Sequence, residues 1–128
     1  MGSVEKLPVR NYRDLIVWQK AIALTEEIYG LTKRFPSDER FGLVAQIRRA
    51  AVSVPSNIAE GQARHTSREF IQFISHAEGS LAEVDTQLML SKQLGFCCGE
   101  ETEPIVSRIS EIRKMLMALR GKLNGQRR

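Results

Sequence analysis

Cys97, Cys98, His65 and His76 carry the softest donor atoms in this sequence, and a metal site is the first chemistry they suggest. Zinc sites gather four such ligands at short regular spacings, commonly Cys-x2–4-Cys and His-x3–5-His. Adjacent cysteines and two distant histidines match neither spacing, so two turn thiols and two surface imidazoles are expected. A di-iron bundle would set a histidine three residues after a glutamate on an inward helix face. The nearest approach, Glu69 to His76, has the wrong spacing. Nucleophilic catalysis needs a base beside a serine, and the serines here have no matched histidine. Gly42, Gly61 and Gly79 occur singly, so there is no phosphate-cradling loop. No catalytic residue, metal ligand or cofactor emerges, and a non-enzymatic protein is expected.

The basic residues are the remaining candidates. From Pro104 onward the chain holds Arg108, Arg113, Lys114, Arg120, Lys122, Arg127 and Arg128 against Glu111 alone, a local charge of +6 in a chain of net +4. A basic final segment on a near-neutral body suits an anionic partner, although basic tails also aid solubility.

What must position these residues is a single small domain. At 128 residues the chain has room for one hydrophobic core. With 42% apolar and 27% charged residues its composition is that of an ordinary globular protein. No run approaches the roughly 18 apolar residues of a membrane span, and residues 1–14 lack the apolar stretch of a secretory signal. A cytoplasmic protein with reduced thiols is expected. The organisation predicted is a flexible segment over 1–11, a four-helix domain over 12–123 and a basic tail over 124–128.

Apolar residues recur at alternating steps of three and four, which predicts an all-α, antiparallel up-down four-helix bundle. In the last helix they are Ile105, Ile109, Ile112, Leu116, Leu119 and Leu123; in the third, Phe70, Ile74, Ala77, Leu81, Val84 and Leu88. Thr66 and Glu69 form a capping box that starts the third helix near residue 67, and Gly95 ends it. Pro104 is placed to start the fourth. The first helix, from about Tyr12 to Arg34, carries two stripes. One is Leu15, Trp18, Ile22, Thr25, Tyr29 and Thr32; the other is Val17, Ala21, Leu24, Ile28, Leu31 and Phe35. A bundle helix needs one apolar face, so the surplus stripe, with Trp18, Ile22 and Tyr29, reads as a subunit interface. The other reading is a wide core face on a central helix.

The second helix begins after Asp38 and aligns Val44, Ile47, Ala51, Val54 and Ile58, with Pro55 inside the pattern. Proline lacks an N–H and crowds the carbonyl of Ala51, at a cost of about 3 kcal/mol in a helix interior. The unbroken periodicity predicts a kink rather than a break, with Ser53, Ser56 and Asn57 supplying polar groups to the freed backbone and Gly61 as C-cap. Arg48 and Arg49 read either as a basic binding site or as part of a polar network. In the network, Arg48 joins Glu60 or an acid on a neighbouring helix or subunit and fixes the kinked helix.

The run Gln46-Ile47-Arg48-Arg49-Ala50-Ala51-Val52-Ser53-Val54-Pro55-Ser56-Asn57-Ile58-Ala59-Glu60-Gly61 resembles the signature of bacterial four-helix-bundle proteins encoded in intervening sequences of 23S ribosomal RNA genes. The likeness extends to Asp14–Ala21, to Phe35–Leu43 and to Glu69–Glu83. It departs at Phe96-Cys97-Cys98, where the family pattern has a tyrosine and an aliphatic residue. The family is similar to the accessory variability determinant of diversity-generating retroelements. That protein is a four-helix pentameric barrel with a basic surface that binds nucleic acid and a reverse transcriptase. The resemblance therefore implies a ring or barrel-like homopentamer that binds RNA or DNA, with a reverse transcriptase or another protein as partner.

Helix four and the tail, through Arg108, Arg113, Lys114, Arg120, Lys122, Arg127 and Arg128, form the expected nucleic-acid surface. Its contacts would be phosphate-directed, salt-dependent and weakly sequence-specific. Glu78 and Asp85 on helix three can instead pair with some of these bases across the antiparallel neighbour, which exposed pairs do for about 0 to 1 kcal/mol. A protein-binding adaptor with no nucleic-acid role is the alternative.

Overall fold

The computed structural model describes residues 11–125, and these fold into four α-helices with no strand among them. They are α1 (Ile16–Thr32), α2 (Leu43–Gln62), α3 (Ser67–Gln93) and α4 (Gly99–Gly125). Single 3-10 turns at Tyr12–Asp14 and Ser37–Glu39 precede α1 and α2. Each helix packs on the next, and α4 packs on α1, so α2 and α4 occupy opposite corners. Neighbours run antiparallel. Thr25 meets Ala51 while Thr32 meets Arg48, and Glu78 pairs with Arg120 while Asp85 pairs with Arg113.

The core is the seam that periodicity predicts. Leu24, Ile28, Ile47, Val54, Ile58, Ile74, Leu81, Val84, Leu88, Ile109, Ile112 and Leu116 have almost no exposed surface. Burying each aliphatic side chain contributes about 1.5–3 kcal/mol relative to exposure. The stripe of α1 that enters this core is Val17, Ala21, Leu24, Ile28, Leu31 and Phe35.

Helix ends follow local chemistry. The Thr66 hydroxyl accepts the Glu69 N–H at 3.1 Å and caps α3 as expected. Gly95, at φ +82°, ends that helix in a Schellman turn, with the Phe96 N–H on the Ser91 carbonyl at 2.9 Å and the Gly95 N–H on Lys92 at 3.0 Å.

Several boundaries differ from expectation. Helix one starts at Ile16, because Asn11 Oδ1 accepts the Arg13 N–H at 2.7 Å and holds a separate turn. Helix two starts at Leu43, five residues after Asp38, because Ser37–Glu39 closes its own 3-10 turn. The Glu39 carboxylate then accepts the Leu43 N–H at 3.1 Å. Helix four starts at Gly99 and not at Pro104: the Glu101 carboxylate reaches back to the Cys98 N–H at 3.0 Å, half of a capping box. It runs to Gly125, so the first two residues of the expected tail are helical. Residues 1–10 of the N-terminal segment, and Arg127 and Arg128 of the tail, lie outside the described residues.

Gly61 is not a C-cap. It lies buried within α2, and a Cβ there would stand 2.8 Å from Phe70 Cδ1 and 2.8 Å from Phe73 Cβ. Glycine is required because α3 approaches too closely for a side chain.

Candidate functional site

Helix two runs without interruption from Leu43 to Gln62 with Pro55 buried inside it. Proline has no N–H for the Ala51 carbonyl one turn earlier. The Thr25 hydroxyl of α1 donates there instead, at 3.1 Å, while also lying 2.9 Å from its own Ala21 carbonyl. The three polar residues expected in this role do not take it. Ser53 Oγ donates to the Arg49 carbonyl at 2.9 Å and Asn57 Nδ2 to the Ser53 carbonyl at 2.8 Å, each to its own preceding turn, and Ser56 points to the surface.

Pro55 also shapes the outside of the α1/α2 pair. A groove of about 520 Å³ runs between the helices, walled by Tyr12, Trp18, Ile22, Val52, Pro55 and Ala59, with Glu60 among its lining residues. Tyr12 and Trp18 pack ring to ring at 5.2 Å. The surplus stripe of α1 is only partly covered: Leu15 and Trp18 pack against the edge of the core, Ile22 is half-buried, Tyr29 is exposed and Thr32 is buried.

Towards the N-terminus of α2 the same face becomes basic and aromatic. Tyr29, Arg40, Phe41, Arg48, Arg49 and Val52 line a second depression of about 560 Å³. Arg40 lies 4.8 Å over the Phe41 ring and Arg48 4.4 Å over the Tyr29 ring. Arg48 Nε donates to Thr32 Oγ1 at 2.8 Å and Nη2 to the Tyr29 carbonyl at 3.4 Å. A cation at these last carbonyls of α1 complements the helix dipole. The expected Arg48–Glu60 link does not form within a chain. Twelve residues of helix separate them by about 18 Å, and Glu60 is exposed. Within the chain the hydrogen bonds of Arg48 instead tie α2 to the end of α1.

On α4 most arginines have carboxylate partners. Arg108 Nε is 2.7 Å from Glu27 on α1, Arg120 pairs with Glu78 and Ser75 on α3, and Arg113 stands 3.8 Å from Asp85. The cross-helix pairing open to Glu78 and Asp85 is realised, and Glu27 adds a third pair that no spacing within helices three and four reveals. Lys114 and Lys122 are exposed without an ion pair among the described residues.

The thiols and imidazoles do not converge. Cys97 is buried, Cys98 is exposed, and both are free. Burial pushes the Cys97 thiol up from its ordinary value, with the Glu101 carboxylate and Cys98 adding to it and Lys92 opposing. His65 and His76 are exposed, His76 edge-on to Phe73 at 5.8 Å. No three metal-ligating side chains cluster among the described residues, and no helix among them is long and apolar enough to cross a membrane.

The family model of the 23S rRNA-intervening sequence protein matches residues 13–118. The chain belongs to that family. Its fold is also that of a crystal structure from Bacteroides thetaiotaomicron, described as a protein of unknown function from the S23 ribosomal protein family. The two share 24% identity at a TM-score of 0.76, over 82% of this chain and 98% of that one. No curated protein matches this chain. The match takes in the Pro55 region and most of α4, and stops before Arg120, Lys122 and the terminal arginines. Arg40, Phe41 and Thr25 are the residues of the site that sequence reasoning left without a role. An isolated exposed phenylalanine between an arginine and a glycine carries no periodic signal, and Thr25 looked like one more member of a stripe.

Proposed function

We propose that this intervening-sequence protein is a non-enzymatic, homo-oligomeric bundle, a pentameric ring, that binds RNA or DNA through its remaining cationic surface. The observation that carries the reading is the α1/α2 face. Trp18, Ile22, Val52 and Pro55 border a wide apolar groove that no other described residue fills, and such a face is covered in a stable soluble assembly. The bend expected of α2 at Pro55 is part of this reading, because it would open the helix pair at the groove.

Nucleic acid is assigned to the opposite side of the molecule, since α4 stands across the bundle from α2. There Lys114 and Lys122 have no ion pair among the described residues. Arg113, 46% exposed and 3.8 Å from Asp85, is in an exchangeable pair. Arg127 and Arg128 follow α4 in sequence and lie outside the described residues. Arg108 and Arg120 leave the proposed contact, because tight carboxylates hold them. The protein partner in this reading is an enzyme acting on that nucleic acid, a reverse transcriptase included. Five phosphate contacts per subunit imply a loss of roughly 10²- to 10³-fold in affinity between about 50 and 200 mM salt. Fluorescence anisotropy with labelled RNA tests this, and absent or salt-independent binding would reject it. The protein-binding adaptor gains from one observation, the pairing of three helix-four arginines with carboxylates, which halves the positive surface. Cytoplasmic residence suits both readings.

A further inference from the structure

Phe41 stands apart from the other phenylalanines. Phe35 is buried and Phe70, Phe73 and Phe96 are half-buried, but Phe41 is 85% exposed at the start of α2, under the Arg40 guanidinium. The apolar groove lies at the other end of the same helix. From Leu43 to Ala59 is about 24 Å along α2, so Phe41 cannot fill the groove of its own chain.

We propose that Phe41 of one copy seats in the Trp18–Ile22–Pro55–Ala59 groove of the next copy, in a head-to-tail contact. The inference rests on the homo-oligomer reading and names the knob and the hole that build it. The charges agree: Arg40 flanks the knob, and Glu60, exposed and without an ion pair among the described residues, lines the hole. An aromatic anchor entering an apolar pocket is the kind of residue that dominates interface energetics.

A reciprocal two-fold contact is the other way to use this knob and hole. It would place the middle of the Phe41–Ala59 stretch on the axis and bring Arg48 and Arg49 of both copies together. That surface is lined by Arg40, Arg48 and Arg49 and by no carboxylate, so like charges would oppose the two-fold. In the head-to-tail contact each interface uses one knob and one hole, the heterologous arrangement from which closed rings are built.

The test uses Phe41→Asp, which removes the knob, and Ser56→Trp, which fills the hole; both residues are exposed in the single chain. Circular dichroism melts establish that each variant folds. Each alone should sediment as a monomer, its contact weakened about 30-fold or more. An equimolar mixture should form a one-to-one dimer, because the intact knob of Ser56→Trp fits the intact hole of Phe41→Asp and nothing can propagate further. An assembled wild type with folded variants that assemble unchanged, or a mixture that stays monomeric, overturns the Phe41 contact and leaves the oligomer reading standing. A monomeric wild type removes both.

Discussion

The Thr25 hydroxyl lies 3.1 Å from the carbonyl of Ala51, the acceptor that Pro55 leaves without its helical N–H. One helix thereby completes the backbone of another, and a proline is held inside an unbroken twenty-residue α-helix. The arrangement predicts an energetic coupling. Thr25→Val should cost about 1–2 kcal/mol in denaturant unfolding, because it strands the carbonyl of the buried Ala51. In a Pro55→Ala background, where residue 55 regains its N–H, the same change should cost under about 0.5 kcal/mol. Equal costs in both backgrounds would disprove the link.

Gly61 and Gly79 make a matched pair for thermal melts. Gly61→Ala drives a Cβ to 2.8 Å from Phe70 and Phe73 and should destabilise by about 1–3 kcal/mol. Gly79→Ala meets nothing within 4 Å in the middle of α3 and should stabilise by about 0.5–1 kcal/mol through helix propensity.

Glu101 sets an acid-side dependence. The Cys98 backbone N–H holds its carboxyl below the ordinary value of 4.5, with Arg34 adding to the effect. A lowered folded value means that the charged form stabilises the fold. That contribution is complete above the ordinary value and disappears as pH falls through the lower one. The stability gap between wild type and Glu101→Gln should therefore be constant near neutral pH and close towards pH 3.

The cations of α4 divide by their partners. Lys114→Gln with Lys122→Gln should leave the melting temperature within about 2 °C and lower the slope of log affinity for RNA against log salt by roughly two. Arg120→Ala should instead lower stability, because Glu78 and Ser75 lose their partner. A double lysine variant with unchanged RNA affinity would remove helix four from the nucleic-acid reading.

The four helices and their seams were legible because a repeat of three and four is a property of the sequence: Ile47, Ala51, Val54 and Ile58 are fully buried, as their spacing requires. Thr66 and Gly95 were legible because caps are chemistry between near neighbours. Apart from the pairing of Glu78 and Asp85 with bases of helix four, what depended on another helix was not. Gly61 reads as a terminator in the sequence, and only the packing of Phe70 and Phe73 shows why it is glycine; Arg48 reads as joining Glu60 or an acid on a neighbouring helix or subunit, whereas its partners within the chain are the Thr32 hydroxyl and the Tyr29 carbonyl of α1. Glu27, distant in sequence from Arg108, could not be anticipated as its counter-ion. The start of α4 moved for a related reason: Glu101 caps from within the helix, and Pro104 is tolerated past the first turn.

The mass of the purified wild-type chain in solution bears most directly on the central claim, that the α1/α2 face is a subunit interface. Light scattering at micromolar concentration should return five times the 14.5 kDa of one chain. A value of 14.5 kDa that does not change with concentration would contradict it.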